Sequence, residues 1–579
     1  MSTHTPEQPP MTTEPTAITT HMPAPLSARE RIAARLLPSI GDVIFACVLF
    51  GALLGLQGKI LGPDGDLGWG LRIGERVLSQ GIPRSEFMLS TTLGHPVVYW
   101  EWLSQTLYAL ADHAWGLNGV AALAALLVAA TSLLLYVSLR RRGVSLALSL
   151  PLTVLGIGLT SITWTARAQL FSLLLTLLWS ELLLRYWRTG NRRSLLALPP
   201  LMALWANLHG GFLAGLILLG TALGVAWLFP RQRERARPGE LGVALVASAL
   251  ATLVNPWGIG LWTHIAAYAA NPLIARYTQE YQSPDFHSAV GLLFLALVFI
   301  LAGAWLRLTL ARAHGNGDTQ RVVSDTEACE SGPDIRRDDA PLARPSGDEK
   351  RAGGVGSTDL LAIATVTVWT VLAFTSVRFV PIWALFALPV LGETLSANIR
   401  SSAPSRGLAA VARRFARLDA IDTQVSRGAW SALAIAVVLL TLIGGGALPG
   451  TSTGILNVQF SAGTFPVAAV ARLRAMGVPP GQGFTTFAWG GYLDESLPEY
   501  HVFIDSRSDD YSQRLLSDYA DIVGLAPDWR TLLDRYHIRW ALLPTGDPLT
   551  QALQLAPDWR CAREDAGNVA MLCQRVTHP

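Results

Sequence analysis

Apolar segments recur along the 579-residue chain near 40–58, 117–139, 144–163, 168–187, 195–209, 210–229, 240–255, 289–308, 359–376, 379–397 and 429–448. At about 17 to 22 residues, each can cross roughly 30 Å of hydrocarbon as a helix, the two or three shortest only with local thinning or support from neighbours. Composition agrees. Hydrophobic residues make up 51% and charged residues 15% of the chain, whereas soluble domains carry about 25% charged residues. A net charge of +3 provides no global basic field that would gather nucleic acid.

Arginine position gives the orientation, because Lys and Arg in short loops set topology and acidic residues hardly count. Four clusters fall in alternate loops: Arg140, Arg141 and Arg142; Arg188, Arg192 and Arg193; Arg231, Arg233, Arg235 and Arg237; and Arg413, Arg414 and Arg417. All four share the side of the N-terminus. The first apolar run follows Arg29, Arg31 and Arg35, outruns a signal-peptide core and has no small-x-small cleavage site, so it reads as a retained span. With about eleven spans and the N-terminus cytoplasmic, everything from about 449 lies outside. Residues 1–39, rich in Thr, Pro and Ser at their start, read as a disordered cytoplasmic tail, and 311–358 as a disordered cytoplasmic loop.

The outward segments hold the chemistry. In the first outward loop, 59–116, Trp69, Ile73, Arg76 and Val77 stand at helical spacing. Trp100, Trp102, Leu103, Leu107 and Leu110 make a second amphipathic stretch, and both read as interfacial helices along the membrane surface. Counting 100–116 as a span would turn Arg140 to Arg142 outward and break the charge pattern. A second outward loop, 255–288, carries His264, Arg276, Glu280, Tyr281, Asp285 and His287, while shorter turns hold Arg167, His209 and Arg378.

From 449 to 579 the composition becomes that of a soluble α/β domain. GFTTFAWGGYL, YHVFID and IRWALLP read as strands, YSQRLLSDYADIVG and WRTLLDRY as helices. Cys561 and Cys573 sit nearly symmetrically about Gly567 in a hairpin-like stretch, the arrangement of a cross-strand disulfide; two unpaired small hydrophobes in adjacent strands is the alternative. Cys47 and Cys329 are expected to be free.

The layout resembles the GT-C superfamily of polytopic membrane glycosyltransferases, which includes protein O-mannosyltransferases, the aminoarabinose transferase of lipid A and oligosaccharyltransferases. Asp66, Trp69 and the run LSQG ending at Gly81 stand where that superfamily places an early acid, an aromatic and an interfacial helix ending in Gly. Glu86, the segment YWEWLSQTLYAL and the turn LRRRG continue the likeness, as do the outer helices followed by an outward α/β domain. The chain departs from the pattern where no acid follows Asp66 and where Tyr99 and Trp100 replace the usual Pro.

The resemblance implies a polyprenyl-phosphate sugar donor and an extracytoplasmic acceptor whose hydroxyl or amine displaces the phosphate with inversion. Such a displacement needs a carboxylate base and cations for the departing phosphate. Asp66 is the candidate base, with Asp64 beside it as alternative; Glu86 and Glu101 are candidates for orienting the acceptor or serving as a second acid. Arg167 and Arg378, charges at membrane edges, are candidate phosphate ligands, and Trp69, Trp102 and His209 complete the candidate substrate contacts. Each has a plainer reading: a solvated turn carboxylate, a guanidinium reaching lipid headgroups, a packed histidine. Asp505, Arg507, Asp509, Asp510 and Tyr511 follow a strand-like run, as ligand-facing groups or as a helix cap. No protein-bound metal or other tightly bound cofactor is expected; a divalent cation, if any, enters with the donor phosphate. The competing functions are a transporter or flippase of envelope lipids or glycans, favoured by paired broken spans, and a non-catalytic envelope scaffold. No Walker loop, dinucleotide fingerprint or metalloprotease motif is present.

Overall fold

A computed structural model describes residues 36–63, 65–230, 236–272, 278–329, 357–400, 406–422, 425, 428–445, 455–507, 511–563 and 569–576. Asp64, Arg231, Arg233, Arg235, Arg276, Asp509, Asp510 and Gly567 lie outside these, as do 1–35 of the tail and 330–356 of the polar stretch. Every apolar segment named above is helical. Among the described residues five helices are long and apolar enough to cross a membrane: Trp102–Arg141, Leu146–Thr163, Gln169–Thr189, Ala289–Leu310 and Val377–Ile399. Others are shorter; Leu198–Leu208, with 11 residues, reaches only about 16 Å at 1.5 Å per residue. The helix beginning at Ala289 runs to Cys329, so the first part of the polar stretch 311–358 is helical.

The bundle carries apolar side chains on its outside as well as in its core: Val154, Trp227, Val243 and Phe299 are all more than 60% exposed. In water such a surface would be untenable; hydrocarbon accepts it. The helix Trp102–Arg141 is broken by non-helical backbone at Trp115 and Gly116, the latter at φ 59°. The amphipathic stretch and the following apolar stretch are thus two helices meeting at a glycine.

The bundle's two ends differ in chemistry. At one end Arg142 lies between Glu181 at 3.8 Å and Glu393 at 3.5 Å, and Arg188 reaches Glu393 at 2.5 Å. Arg140 pairs with Asp419, and Asp422 accepts the backbone N–H of Ile40 at 2.7 Å. The basic turns and the start of the first helix therefore share one end. Asp42 closes the circle there. Its carboxylate forms a capping box with Ser39 and accepts from Gly428 N–H at 3.1 Å and Ser431 N–H at 3.0 Å, satisfying orphan donors at the starts of both Ile40–Phe50 and Ala429–Ile443.

At the other end sits the C-terminal domain, a four-stranded sheet of β1 (Gln482–Thr485), β2 (Ile538–Pro544), β3 (Trp559–Arg563) and β4 (Ala570–Arg575) in the order β1-β2-β4-β3. β1 and β2 are parallel; β4 is antiparallel to both its neighbours. Cys561 and Cys573 are direct partners across β3 and β4 and are joined by a disulfide; Cys47 is free. The strand expected over GFTTFAWGGYL stops at Thr485, and Phe487–Ser496 is a helix. The glycines explain the correction. A Cβ on Gly490 would lie 2.6 Å from Asp505 Cα and one on Gly491 2.2 Å from Gly65 O, so this helix passes at backbone contact between two neighbours, which no side chain would permit. YHVFID contributes a single bridge, Val502 to Leu89.

The helix Asp66–Gln80 begins and ends as the sequence indicates, terminating at Gly81 with φ 82°. Leu67, Gly68, Leu71, Ile73 and Gly74 are buried, and a Cβ at Gly68 would fall 2.1 Å from Gly491 O and one at Gly74 2.3 Å from Gln105 O. A stripe of glycines thus sandwiches this helix between Phe487–Ser496 and the helix starting at Trp102.

Candidate functional site

Asp66 opens its helix, where the positive end of the dipole favours a carboxylate. Its Oδ1 accepts from Trp69 Nε1 at 3.3 Å and from the hydroxyl of Ser506, a residue of the C-terminal domain. Its Oδ2 lies 3.1 Å from Arg167 Nη1, which is also 3.1 Å from Glu280 Oε1. Arg167 is presented by the short turn between Leu146–Thr160 and Gln169–Thr189, pinned where Ala166 N–H donates to Ile60 O at 2.6 Å and Tyr108 OH to Arg167 O at 3.2 Å.

Arg378 faces the same space from the turn before Val380–Arg400. It donates to Tyr281 OH and lies over that ring at 5.2 Å, and Tyr268 OH reaches Tyr281 OH at 2.7 Å. The turn is docked on the second outward loop through Val377 N–H to Gln282 O at 2.9 Å and Ser376 Oγ to Glu280 O at 2.7 Å. His209 Nδ1 accepts from Gly211 N–H at 3.0 Å and contacts Ser172 Oγ at 2.7 Å. Ser172 Oγ itself accepts from Trp205 Nε1 at 2.7 Å, so its proton points to His209. With Nδ1 accepting, the imidazole is neutral and its proton sits on Nε2, 3.5 Å from Glu101 Oε1 and 3.4 Å from Arg378 Nη2.

Asp66, Trp69, Glu101, Arg167, His209 and Arg378 line one cavity of about 540 Å³ together with Glu280, Tyr281, Ser506 and Arg507. Carboxylates and guanidiniums from turns hundreds of residues apart thus converge on a single space. Trp102 does not line this cavity: it donates to Asn207 Oδ1 at 2.9 Å and lines a separate apolar groove with Leu103, Leu204 and Val254.

Glu86 is placed elsewhere. It is buried behind the cavity, where Oε1 accepts the backbone N–H groups of Phe87, Met88 and Leu89 at 2.8, 2.7 and 3.2 Å and Oε2 lies 2.9 Å from Arg507 Nη1. Arg507 in turn holds Asp505 Oδ2 through Nε at 2.8 Å, and Tyr511 OH donates to Asp505 Oδ1 at 2.7 Å. Next to them Asp494 is held well above the usual carboxylate range, by burial first and by the neighbouring Asp505 second. Burial and the neighbouring Asp505 thus both disfavour the ionised form of Asp494.

Sequence reading missed Ser506 altogether and gave Glu280 and Tyr281 no role. The only available signal for Ser506 was its position directly after the strand-like FID. Among the described residues no three His, Cys, Asp or Glu side chains converge as a metal site.

No family model matches the sequence, and no curated protein matches it. Among solved structures, the crystal structure of ArnT from Cupriavidus metallidurans bound to undecaprenyl phosphate matches 95% of this chain and 99% of its own, at 14% identity and a TM-score of 0.47. The archaeal oligosaccharyltransferase AglB from Archaeoglobus fulgidus, in complex with an inhibitory peptide and a dolichol-phosphate, matches 87% of this chain and 69% of its own, at 10% identity and a TM-score of 0.46. The Archaeoglobus fulgidus oligosaccharyltransferase tethered to an acceptor peptide containing the NVT sequon matches 89% and 69%, at 11% identity and a TM-score of 0.47. At 10–14% identity and TM-scores of 0.46–0.47, function has to be read from the site itself.

Proposed function

We propose that the chain is a multi-pass plasma-membrane glycosyltransferase that moves a sugar from a polyprenyl-phosphate carrier to an extracytoplasmic acceptor with inversion. The observation that carries the reading is the cavity itself: Asp66, Arg167 and Arg378 face one space. A lipid-borne phosphate needs guanidiniums for its charge, and the apolar exterior of the bundle is a surface its chain can follow.

In the reaction the acceptor oxygen or nitrogen forms a bond to the anomeric carbon from the face opposite the phosphate. The bond from that carbon to the phosphate oxygen breaks, and its electron pair leaves with the phosphate. Asp66 takes the acceptor's proton, while Arg378 and Arg167 meet the charge that develops on the leaving group. Arg378 donates to Tyr281 OH, and the carboxylates of Glu280 and Glu101 act on it through space. Arg167 shares its charge with Asp66 and Glu280. A divalent cation, where one takes part, arrives with the donor phosphate. The basic end is the cytoplasmic one by the arginine rule, which puts the cavity and the C-terminal domain on the outer side.

The test is transfer of labelled sugar from a synthetic polyprenyl-phosphate donor by purified protein in lipid. Asp66→Asn should abolish turnover while donor binding survives, and Arg378→Ala should weaken donor binding. Full turnover by Asp66→Asn, or cysteine labelling that puts Gly62 on the cytoplasmic side, overturns the proposal.

A further inference from the structure

We propose that Ser506 is a positioning residue for Asp66, so that the C-terminal domain completes the active site rather than serving as an appended binding module. The inference rests on the reading of Asp66 as the base. Proton assignment at this contact is determined by its partners. Trp69 Nε1 can only donate, and it lies 3.0 Å from Ser506 Oγ and 3.3 Å from Asp66 Oδ1. The Ser506 oxygen thus accepts from the indole, and its own proton goes to Asp66 Oδ1. A hydroxyl and an indole N–H hold one carboxylate oxygen while Arg167 sits on the other.

The placement of Ser506 is heavily constrained. Its neighbours Asp505 and Arg507 are 0% and 4% exposed and are joined to each other through Arg507 N–H and Nε, both 2.8 Å from Asp505. Glu86 ties the same guanidinium to the first outward loop. Just upstream, Ser90 N–H donates to Val502 O at 2.8 Å and Thr91 Oγ1 to Phe503 O at 2.9 Å. On the other side the Asp66 helix is seated against Gly491 by contacts that admit no Cβ. Two separate interfaces therefore bring residue 506 to residue 66 across 440 positions of sequence.

The chemical consequence concerns competition. A carboxylate held on only one oxygen can turn away from the acceptor it is to deprotonate. A hydroxyl on Oδ1 opposes that rotation, and it favours the ionised form that can accept a proton. Removing it should leave the carboxylate less well aimed and make it protonate at higher pH.

The experiment compares Ser506→Ala and Ser506→Thr with the parent protein in lipid, measuring transfer from a polyprenyl-phosphate sugar across pH, alongside thermal unfolding. A donor hydrogen bond to a charged group is worth roughly one to two pH units. Ser506→Ala should therefore lose on the order of 10-fold or more in kcat at nearly unchanged donor KM, with the acidic limb of the profile displaced upward by that amount and the melting temperature preserved. Ser506→Thr, which keeps the hydroxyl, should restore most of the rate. Unchanged kcat and acidic limb in Ser506→Ala, or a loss of rate with the limb unmoved and no rescue by Thr, overturns the positioning role. Retained turnover by Asp66→Asn removes the base assignment instead, so the two failures are told apart.

Discussion

Replacing Glu86 by Gln separates an acid that takes part in chemistry from one that holds the protein together. The amide keeps an oxygen for the three backbone N–H groups of Phe87, Met88 and Leu89, but it turns an NH2 group toward Arg507 Nη1, 2.9 Å away in the parent. Arg507 then keeps Asp505 as its carboxylate partner in a pocket where both are nearly inaccessible to water. Removing one partner from such a buried pair costs about 3–5 kcal/mol. That lowers the ratio of docked to released C-terminal domain by a factor on the order of 10² to 10³. Thermal unfolding and limited proteolysis in lipid should both report a weakened C-terminal domain. Single-turnover transfer below the melting transition should be near the parent rate, because Glu86 does not line the cavity. A Glu86→Gln protein that melts like the parent yet transfers no sugar would refute this reasoning and return Glu86 to the chemistry.

Asp494 supplies a pH dependence of defined sign. Its folded value lies above its unfolded value of about 3.8, so its contribution to stability is complete at low pH and is lost as pH rises toward the folded value. Asp494→Asn, neutral at every pH, should flatten that decline in a series of melting curves above pH 4 and stabilise the domain at pH 7. Gly68→Ala puts a methyl carbon 2.1 Å from Gly491 O, which backbone cannot yield to, and should destabilise the interface by about 1–3 kcal/mol or more while depressing transfer. Arg378→Lys keeps a charge but loses the planar fork over Tyr281, and kcat should fall while donor KM rises. Reducing Cys561–Cys573, which closes a loop of 12 residues, should lower the stability of the sheet by about 2–3 kcal/mol and leave the bundle helices intact by circular dichroism.

Much of the architecture was legible because lipid leaves few options. Apolar runs such as 168–187 and 379–397 could only be helices, and the break between 100–116 and 117–139 was visible in Gly116 and in the charge pattern. Helix type within the C-terminal domain was harder. FAWGGYL carries aromatics at strand-like spacing and two glycines that disfavour a helix, and only contact with Asp505 on one side and Gly65 on the other shows why both are there. The acids of the first outward loop looked alike in sequence, yet Asp66 faces the cavity and Glu86 faces away. Their difference is decided by Ser506 and Arg507, more than four hundred residues downstream, and no local pattern encodes it.

The carboxylate of Asp42 has a consequence for biogenesis. Its acceptor capacity is used by Ser39 close by and by Gly428 and Ser431, the latter 389 positions later in the chain. During synthesis the first helix must wait with a carboxylate only half supplied with protein donors until nearly the whole bundle has been made. Seating of Ala429–Ile443 is then the event that completes its hydrogen bonds.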